Sequence, residues 1–173
     1  MLQNLSVLVE NRAGVLTRVT SLFARRGYNI ESLAVGTTQN PAISRITITL
    51  TGDDEMVDQI MRQLHKLPDV LMVRHLSPGD HFSRELVFIK VRTDAASRAQ
   101  ILQIVDIFRG HVIDVSPETL TIELSGKGDK IEALQSMLDQ YGILELVRTG
   151  PIAIERGERT MNVDQPVENR DAK

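Results

Sequence analysis

The sequence predicts an α+β fold in which the order β-α-β-β-α-β occurs twice. Segments in which apolar and polar residues alternate, the period of a half-buried strand, are separated by segments with apolar residues every three or four positions, the period of a helix. A polar stretch rich in turn-forming residues, 77–81, divides the 173 residues into two such sets. Two small domains in series follow from this pattern.

The first set of elements occupies residues 1–77. Alternation predicts the strands, and Gly27 is placed to end the first helix in a left-handed conformation. Acidic residues at 53 and 54 favour a helix start, because they lie at the positive end of the helix dipole. The predicted elements are a strand at 5–9, a helix from 15 to 27, an extended segment at 28–38, a strand at 45–50, a helix from 52 to 64 and a strand at 70–76.

The second set repeats this order over residues 83–158. Its predicted elements are a strand at 86–91, a helix over 101–108, strands at 111–115 and 120–124, a helix over 131–138 and a strand at 143–147. Two such units imply two tandem ferredoxin-like βαββαβ domains, each with both helices on one face of its sheet. The polar segment 159–173 is expected to be a flexible tail.

Composition excludes several functional classes. The net charge is −3, aromatic residues make up 3% and there is no Trp, so the basic and aromatic surfaces of nucleic-acid binders are not expected. There is no Cys, which excludes disulfides, thiolate catalysis and Cys-ligated metals. The four His residues lack metal-ligand spacing, and we expect no metal site. With neither a signal-like N-terminus nor an apolar stretch of ~20 residues, we expect a cytoplasmic protein that does not bind membranes.

Several motifs carry a resemblance to a known family. In the first half they are LSVLVEN at 5–11, AGVL at 13–16, FARRGYNIESL at 23–33 and QLHKL at 63–67. In the second half they are REL at 84–86, FRG at 108–110 and IDV at 113–115. Over residues 1–158 the chain resembles the small regulatory subunit of acetohydroxyacid (acetolactate) synthase. The first domain of that subunit is an ACT domain, a module that senses amino acids.

The resemblance implies a regulatory role without catalysis. Subunits of this family have no active site; they activate a separate catalytic subunit and confer feedback inhibition by valine, sometimes by leucine or isoleucine, in branched-chain amino-acid biosynthesis. Thiamine diphosphate, magnesium and FAD are expected in the catalytic partner and none of them in this chain. A homodimer through the ACT domain is expected on separate grounds, because two small cores and an unpaired strand edge favour association.

The same resemblance implies an effector site. In the family, residues that match Asn11, Gly14 and Asn29 line that site, and nearby apolar wall or backbone contacts are expected from Val15, Leu16 and Ile30. Gly14 begins a predicted helix, where free N–H groups attract anions and the missing side chain permits close approach. The two amides offer donors and acceptors to a zwitterion without burying a net charge. A tight turn alone would also explain Asn11 and Gly14.

The predicted edge strand at 28–38 suggests how the site is completed. An unpaired strand edge favours pairing with another chain. We expect two copies to pair here, which brings Asn29 of one copy near turn 11–14 of the other and places valine at the interface.

Three other functional classes are possible for a chain of this fold. A free-standing ACT sensor that acts on another enzyme or regulator is the main alternative. An enzyme is disfavoured because the sequence shows no nucleophile with a base and no phosphate-binding loop. An RNA-recognition domain requires aromatic residues on its central strands, and the strand at 43–48 has none.

Overall fold

The computed structural model describes residues 1–163, whose helices and strands follow the predicted order. The first half contains β1 (Leu2–Glu10), α1 (Val15–Arg26), β2 (Ser32–Thr37), β3 (Ile43–Thr51), α2 (Asp54–Leu64) and β4 (Val70–Leu76). The second half contains β5 (His81–Arg92), α3 (Arg98–Ile107), β6 (His111–Val115), β7 (Thr119–Gly126), α4 (Gly128–Leu138), a 3₁₀ turn (Asp139–Tyr141) and β8 (Ile143–Arg148), before a short β9 (Ile152–Glu155). The predicted α+β fold with two βαββαβ units is confirmed.

The first sheet is antiparallel, with strand order β2-β3-β1-β4. Leu5 and Val7 of β1 lie opposite Ile48 and Ile46 of β3, and all four are fully buried. Their side chains pack against α1 and α2, where Phe23 is among the largest buried residues. The period-two pattern of the strands and the helical pattern of α1 therefore converge on one core.

The other face of this sheet is covered as well. Ser6 and Leu8 point away from the helices, yet they are only 0% and 3% exposed. Arg45 donates from Nε to the Ser6 hydroxyl at 2.7 Å, and Arg74 forms an ion pair with Glu155. Burial lowers the pKa of Arg45, while the nearby Glu155 carboxylate acts to raise it. Glu155 thus brings a negative charge to a face that carries two arginines.

The compact units differ from the predicted domain boundaries. One unit combines Met1–Phe82 with the segment from Ala153 onward, and the other is Ser83–Ile152. The predicted second domain extended to residue 158, but Arg156 stacks over the Phe82 ring at 3.9 Å and ties this segment to the first unit. Of the predicted tail, residues 164–173 lie outside the described residues.

The second sheet is also antiparallel, with order β6-β7-β5-β8 and with β9 paired to β5. Ile89 of β5 lies between Ile122 of β7 and Leu146 of β8. Together with Leu134 of α4, the first two are fully buried in a separate apolar core. The second unit therefore has its own core.

The strand that follows α1 is shorter than predicted. Gly27 adopts the predicted left-handed conformation with φ 71°, and Tyr28 N–H donates to the Phe23 carbonyl at 3.0 Å. This bond belongs to the end of α1, and hydrogen bonding to β3 begins with Glu31 N–H, which donates to the Thr49 carbonyl at 2.9 Å. Pairing with β3 begins at Ser32, so the strand is Ser32–Thr37 instead of 28–38.

Candidate effector site

The turn between β1 and α1 leaves the start of α1 open. Gly14 has φ 82°, in the left-handed region that side-chain-bearing residues avoid. No side chain caps α1, and no acidic residue lies in its first turn. Its first N–H groups and the positive end of its dipole are therefore not compensated by an acidic group, an arrangement that attracts a carboxylate.

Two hydrogen bonds from Asn11 link this turn to the β2–β3 hairpin. Its backbone N–H donates to the Ala42 carbonyl at 2.7 Å, and its side-chain Nδ2 donates to the Pro41 carbonyl at 2.9 Å. Among the described residues, none donates to its Oδ1 atom. The exposed amide therefore keeps an acceptor for an ammonium group.

Asn29 lies beyond the other end of α1. Its side chain is exposed, and Nδ2 donates to Glu31 Oε1 at 3.1 Å. The preceding Tyr28 ring meets the buried Phe23 ring edge to face, with centroids 6.4 Å apart. Ile30 is half-buried and packs against the first core. The core thus fixes the backbone on both sides of Asn29 and leaves the amide in solvent.

A single chain does not bring the predicted site residues together. Asn11 and Gly14 precede α1, Asn29 follows it, and the helix has 12 residues, a length of about 18 Å. Val15 is 3% exposed with its side chain in the core, so that only its backbone can contact an effector, whereas Leu16 is 41% exposed. The six predicted residues form two separate groups at opposite ends of one helix.

The β2 strand lies at the edge of the sheet between these two groups. Only β3 pairs with it in the part of the chain that the structure describes. Val35, on the same face as the helices, is 47% exposed. A strand with an unpaired edge and an uncovered apolar side chain is a surface for pairing with another chain.

Comparison with known proteins gives the family. Residues 5–72 match the model of the ACT domain of the acetohydroxyacid synthase small subunit, and residues 84–157 match a model of the small subunit of acetolactate synthase. A probable acetolactate synthase small subunit of Methanothermobacter thermautotrophicus is 49% identical over 158 residues, which are 91% of this chain and 94% of the relative. The chain belongs to the acetolactate synthase small-subunit family. The Haemophilus influenzae acetolactate synthase small subunit is 48% identical, with 91% of this chain and 97% of the relative covered.

A solved structure of this small-subunit family shows the same fold. The crystal structure of the acetolactate synthase small subunit from Thermotoga maritima superposes with a TM-score of 0.86 at 41% identity, and the match covers 92% of this chain and 99% of that one. All six predicted effector residues lie inside the region that matches the ACT-domain model. That match establishes an ACT domain and leaves the role of each residue as a prediction.

The structure adds one residue of interest that the sequence analysis missed. Asp69, in the loop before β4, is only 4% exposed and accepts hydrogen bonds from Arg18 Nε at 2.6 Å and from Arg12 Nη2 at 3.1 Å. The Arg18 hydrogen bond holds the pKa of Asp69 below its ordinary value, against the effect of burial. The ion pair therefore stabilises the fold above the pKa of an unfolded Asp, and this contribution is lost as the pH falls through the lower folded value. Neither local spacing nor alternation in the sequence could link Asp69 to Arg18, which is 51 positions away.

Within residues 1–163, no three His, Asp or Glu side chains are grouped as a metal site requires. Nor does that part of the chain contain a helix with the length and apolar character needed to cross a membrane.

Proposed function

We propose that this chain is the regulatory subunit of acetolactate (acetohydroxyacid) synthase, that it binds valine at the interface of a homodimer, and that it catalyses no reaction itself. One observation supports a binding site at the dimer interface. Two groups of effector-type residues lie at opposite ends of α1, with an unpaired strand edge between them. A small zwitterion cannot span about 18 Å, so a complete site requires a second copy.

Antiparallel pairing of two β2 strands supplies the missing half. A two-fold axis through the middle of β2 would place Ser32 of each copy opposite Thr37 of the other. Three positions before Ser32 is Asn29, and shortly after Thr37 comes the hairpin whose Pro41 carbonyl binds Asn11. Asn29 of one copy then lies beside the Asn11–Gly14 turn of the second copy. Two equivalent sites form in each dimer.

Each part of valine has a matching group in such a site. The N–H groups at the start of α1 receive the carboxylate, and the free Oδ1 of Asn11 accepts from the ammonium group. Asn29 closes the site from the other copy, and the exposed Leu16 offers an apolar surface to the side chain. Leaving either charged end unpaired in a closed site would cost several kcal/mol, so uncharged or singly charged ligands are disfavoured.

Binding between two copies gives a route to regulation. Valine favours the dimer arrangement in which its two half-sites fit, and an effector shifts an equilibrium only through its different affinity for two states. A coupling of ~1–3 kcal/mol to the catalytic subunit would be typical. That subunit supplies the chemistry with thiamine diphosphate, magnesium and FAD, and this chain, which we place in the cytoplasm, holds none of them.

The proposal is tested by calorimetric titration of the chain with L-valine, L-leucine and L-isoleucine, followed by a pull-down and activity assay with the catalytic subunit. Saturable valine binding and valine-dependent inhibition of the assembled enzyme are expected. The three ligands differ by a methylene or its position, which changes the binding free energy by only ~1–3 kcal/mol in an apolar pocket. Weaker binding of L-leucine and L-isoleucine is therefore consistent with the proposal. Valine binding without capture of the catalytic subunit would indicate a free-standing ACT sensor instead.

Asn29→Ala is expected to weaken L-valine binding about tenfold or more and to leave activation of the catalytic subunit unchanged. The exposed amide hydrogen-bonds only Glu31 among the described residues, so its loss removes a ligand contact and leaves the core intact. Calorimetry measures the affinity, and the activity of the assembled enzyme without valine measures activation. Gln140→Ala, which removes an exposed amide from the second unit, is the control and should change neither. Equal loss of binding and activation would reject separate roles.

A further inference from the structure

Arg18 lies close to Gly14 at the start of α1, where the carboxylate is proposed to bind. It is one helical turn after Gly14, and side chains four positions apart share a helix face, with the later one leaning toward the N-terminus. A Cβ atom built on Gly14 would lie 3.3 Å from Arg18 Nη1. The guanidinium group therefore borders the open start of α1, where Gly14 leaves room for a ligand.

Asp69 holds this guanidinium in place. Its side chain is 6% exposed, and Oδ2 accepts from Arg18 Nε at 2.6 Å. The backbone of Asp69 is fixed in turn, because its carbonyl accepts from Glu10 N–H at 3.0 Å. Arg18 is thus oriented by a buried carboxylate that is itself anchored to the end of β1, so little side-chain freedom remains to be lost on binding.

The hydrogen bond to Asp69 uses only the Nε atom of the Arg18 guanidinium group. Within the described part of the chain, no group accepts a hydrogen bond from Arg18 Nη1 or Nη2, and the side chain is 47% exposed. A planar guanidinium with free terminal N–H groups matches the geometry of a carboxylate. The uncapped start of α1 points its own N–H groups at the same region.

We propose that Arg18, positioned by Asp69, binds the α-carboxylate of the effector and restricts the site to amino acids whose carboxylate is free. The inference rests on the proposed valine site and assigns its charge selectivity to two residues. It also gives Asp69 a positioning role: without that carboxylate, Arg18 keeps its charge and loses its orientation.

Arg12 supplies a matched control. It also contacts Asp69, through Nη2 at 3.1 Å, and it carries the same charge. Its side chain is 66% exposed, and its Nη2 atom contacts the carboxylates of both Glu10 and Asp69, so two acidic groups compete with a ligand for it. If the site responded only to the general field of nearby charges, removing either arginine would have a similar effect.

The test is calorimetric titration of the full chain with L-valine and with L-valinamide, which keeps the ammonium and the side chain but has no carboxylate. The unsubstituted chain should prefer L-valine by at least about tenfold, as expected for a charge-assisted pair. Arg18→Gln should lose most of that preference, with weaker L-valine binding and equal or better L-valinamide binding. Arg12→Gln should keep the preference. Asp69→Asn should reduce the preference for L-valine in part. Arg18→Lys, which keeps the charge, should show a larger preference than Arg18→Gln.

The outcomes separate the two proposals. If Arg18→Gln keeps the full preference for L-valine, or weakens both ligands equally while hydrogen exchange shows an intact fold, the carboxylate role of Arg18 is wrong and the valine site remains. An Arg12→Gln effect as large as that of Arg18→Gln would also overturn it, in favour of a general charge effect. If the unsubstituted chain binds neither ligand, alone or with the catalytic subunit, the valine site itself is wrong.

Discussion

Gly14→Ala is expected to lower the affinity for L-valine at least tenfold and to destabilise the first unit by about 1–2 kcal/mol. The stability loss follows from φ 82°, since a side chain in the left-handed region costs roughly that amount. The affinity loss has a separate cause. The new Cβ would lie 3.3 Å from Arg18 Nη1 and would fill the space through which a carboxylate reaches the start of α1. Calorimetry with L-valine and chemical denaturation measure the two effects.

Gly79→Ala separates backbone strain from the loss of the site. Gly79 has φ 90°, and a Cβ atom there would meet nothing within 4 Å. It should therefore cost a similar amount of stability and leave the valine affinity unchanged. If both variants weaken valine binding equally, or if Gly14→Ala binds normally, Gly14 is only a turn residue.

Phe23→Ala is expected to destabilise the first unit by about 3–5 kcal/mol, the usual cost of emptying an aromatic site in a core. Phe23 is 1% exposed and also packs edge to face against Tyr28, one residue before Asn29. The substitution should therefore weaken valine binding as well, because Asn29 loses its rigid support. Hydrogen exchange resolved by peptide is the suitable measurement, since a chain with two cores need not unfold in one step.

Phe23→Leu is the matched control, because it keeps most of the apolar volume and loses the ring contact. A cost of about 1–2 kcal/mol and a smaller effect on valine binding are expected. Faster exchange in both units after Phe23→Ala would contradict the account of two separate cores, which places the effect in α1 and its neighbouring strands.

The fold was predictable where local patterns decide it. Alternation over residues 46–50 identified β3, and Gly27 marked the end of α1 through its left-handed conformation. The errors lie where distant contacts decide. Residues 28–31 look extended, but Tyr28 N–H still donates to the Phe23 carbonyl at the end of α1, and hydrogen bonding to β3 begins only with Glu31 N–H. The family model of the second half extends to residue 157, as predicted, but the sequence gives no sign that Glu155 forms an ion pair with Arg74 of the first sheet.

The candidate site was predictable only in part, for a similar reason. Asn11, Gly14 and Asn29 are predicted from the sequence because each belongs to a contiguous motif that resembles the family. Asp69 was missed because its partner Arg18 is far away in sequence, and no short pattern records a buried ion pair between a loop and a helix. The sequence also does not show that the predicted residues form two separate groups. This follows from the structure, because α1 lies between the two groups and is too long for one chain to form a complete site.

The central claim is that each valine site takes residues from two copies, and mixed dimers test it most directly. Asn29→Ala and Gly14→Ala each damage one half of every site, so both homodimers should bind valine at least about tenfold more weakly than the unsubstituted chain. When the two variants are co-expressed with different tags in equal amounts, about half of the dimers are mixed. Each mixed dimer contains one site with both halves intact and one with both halves damaged.

Calorimetric titration of the mixture with L-valine should therefore recover about a quarter of the sites at an affinity close to that of the unsubstituted chain. Purification through both tags should raise this fraction to about half. If the doubly tagged dimers bind valine no more tightly than the two homodimers, although hydrogen exchange shows both chains folded, the two halves do not meet across the β2 edge and the two-copy site is wrong.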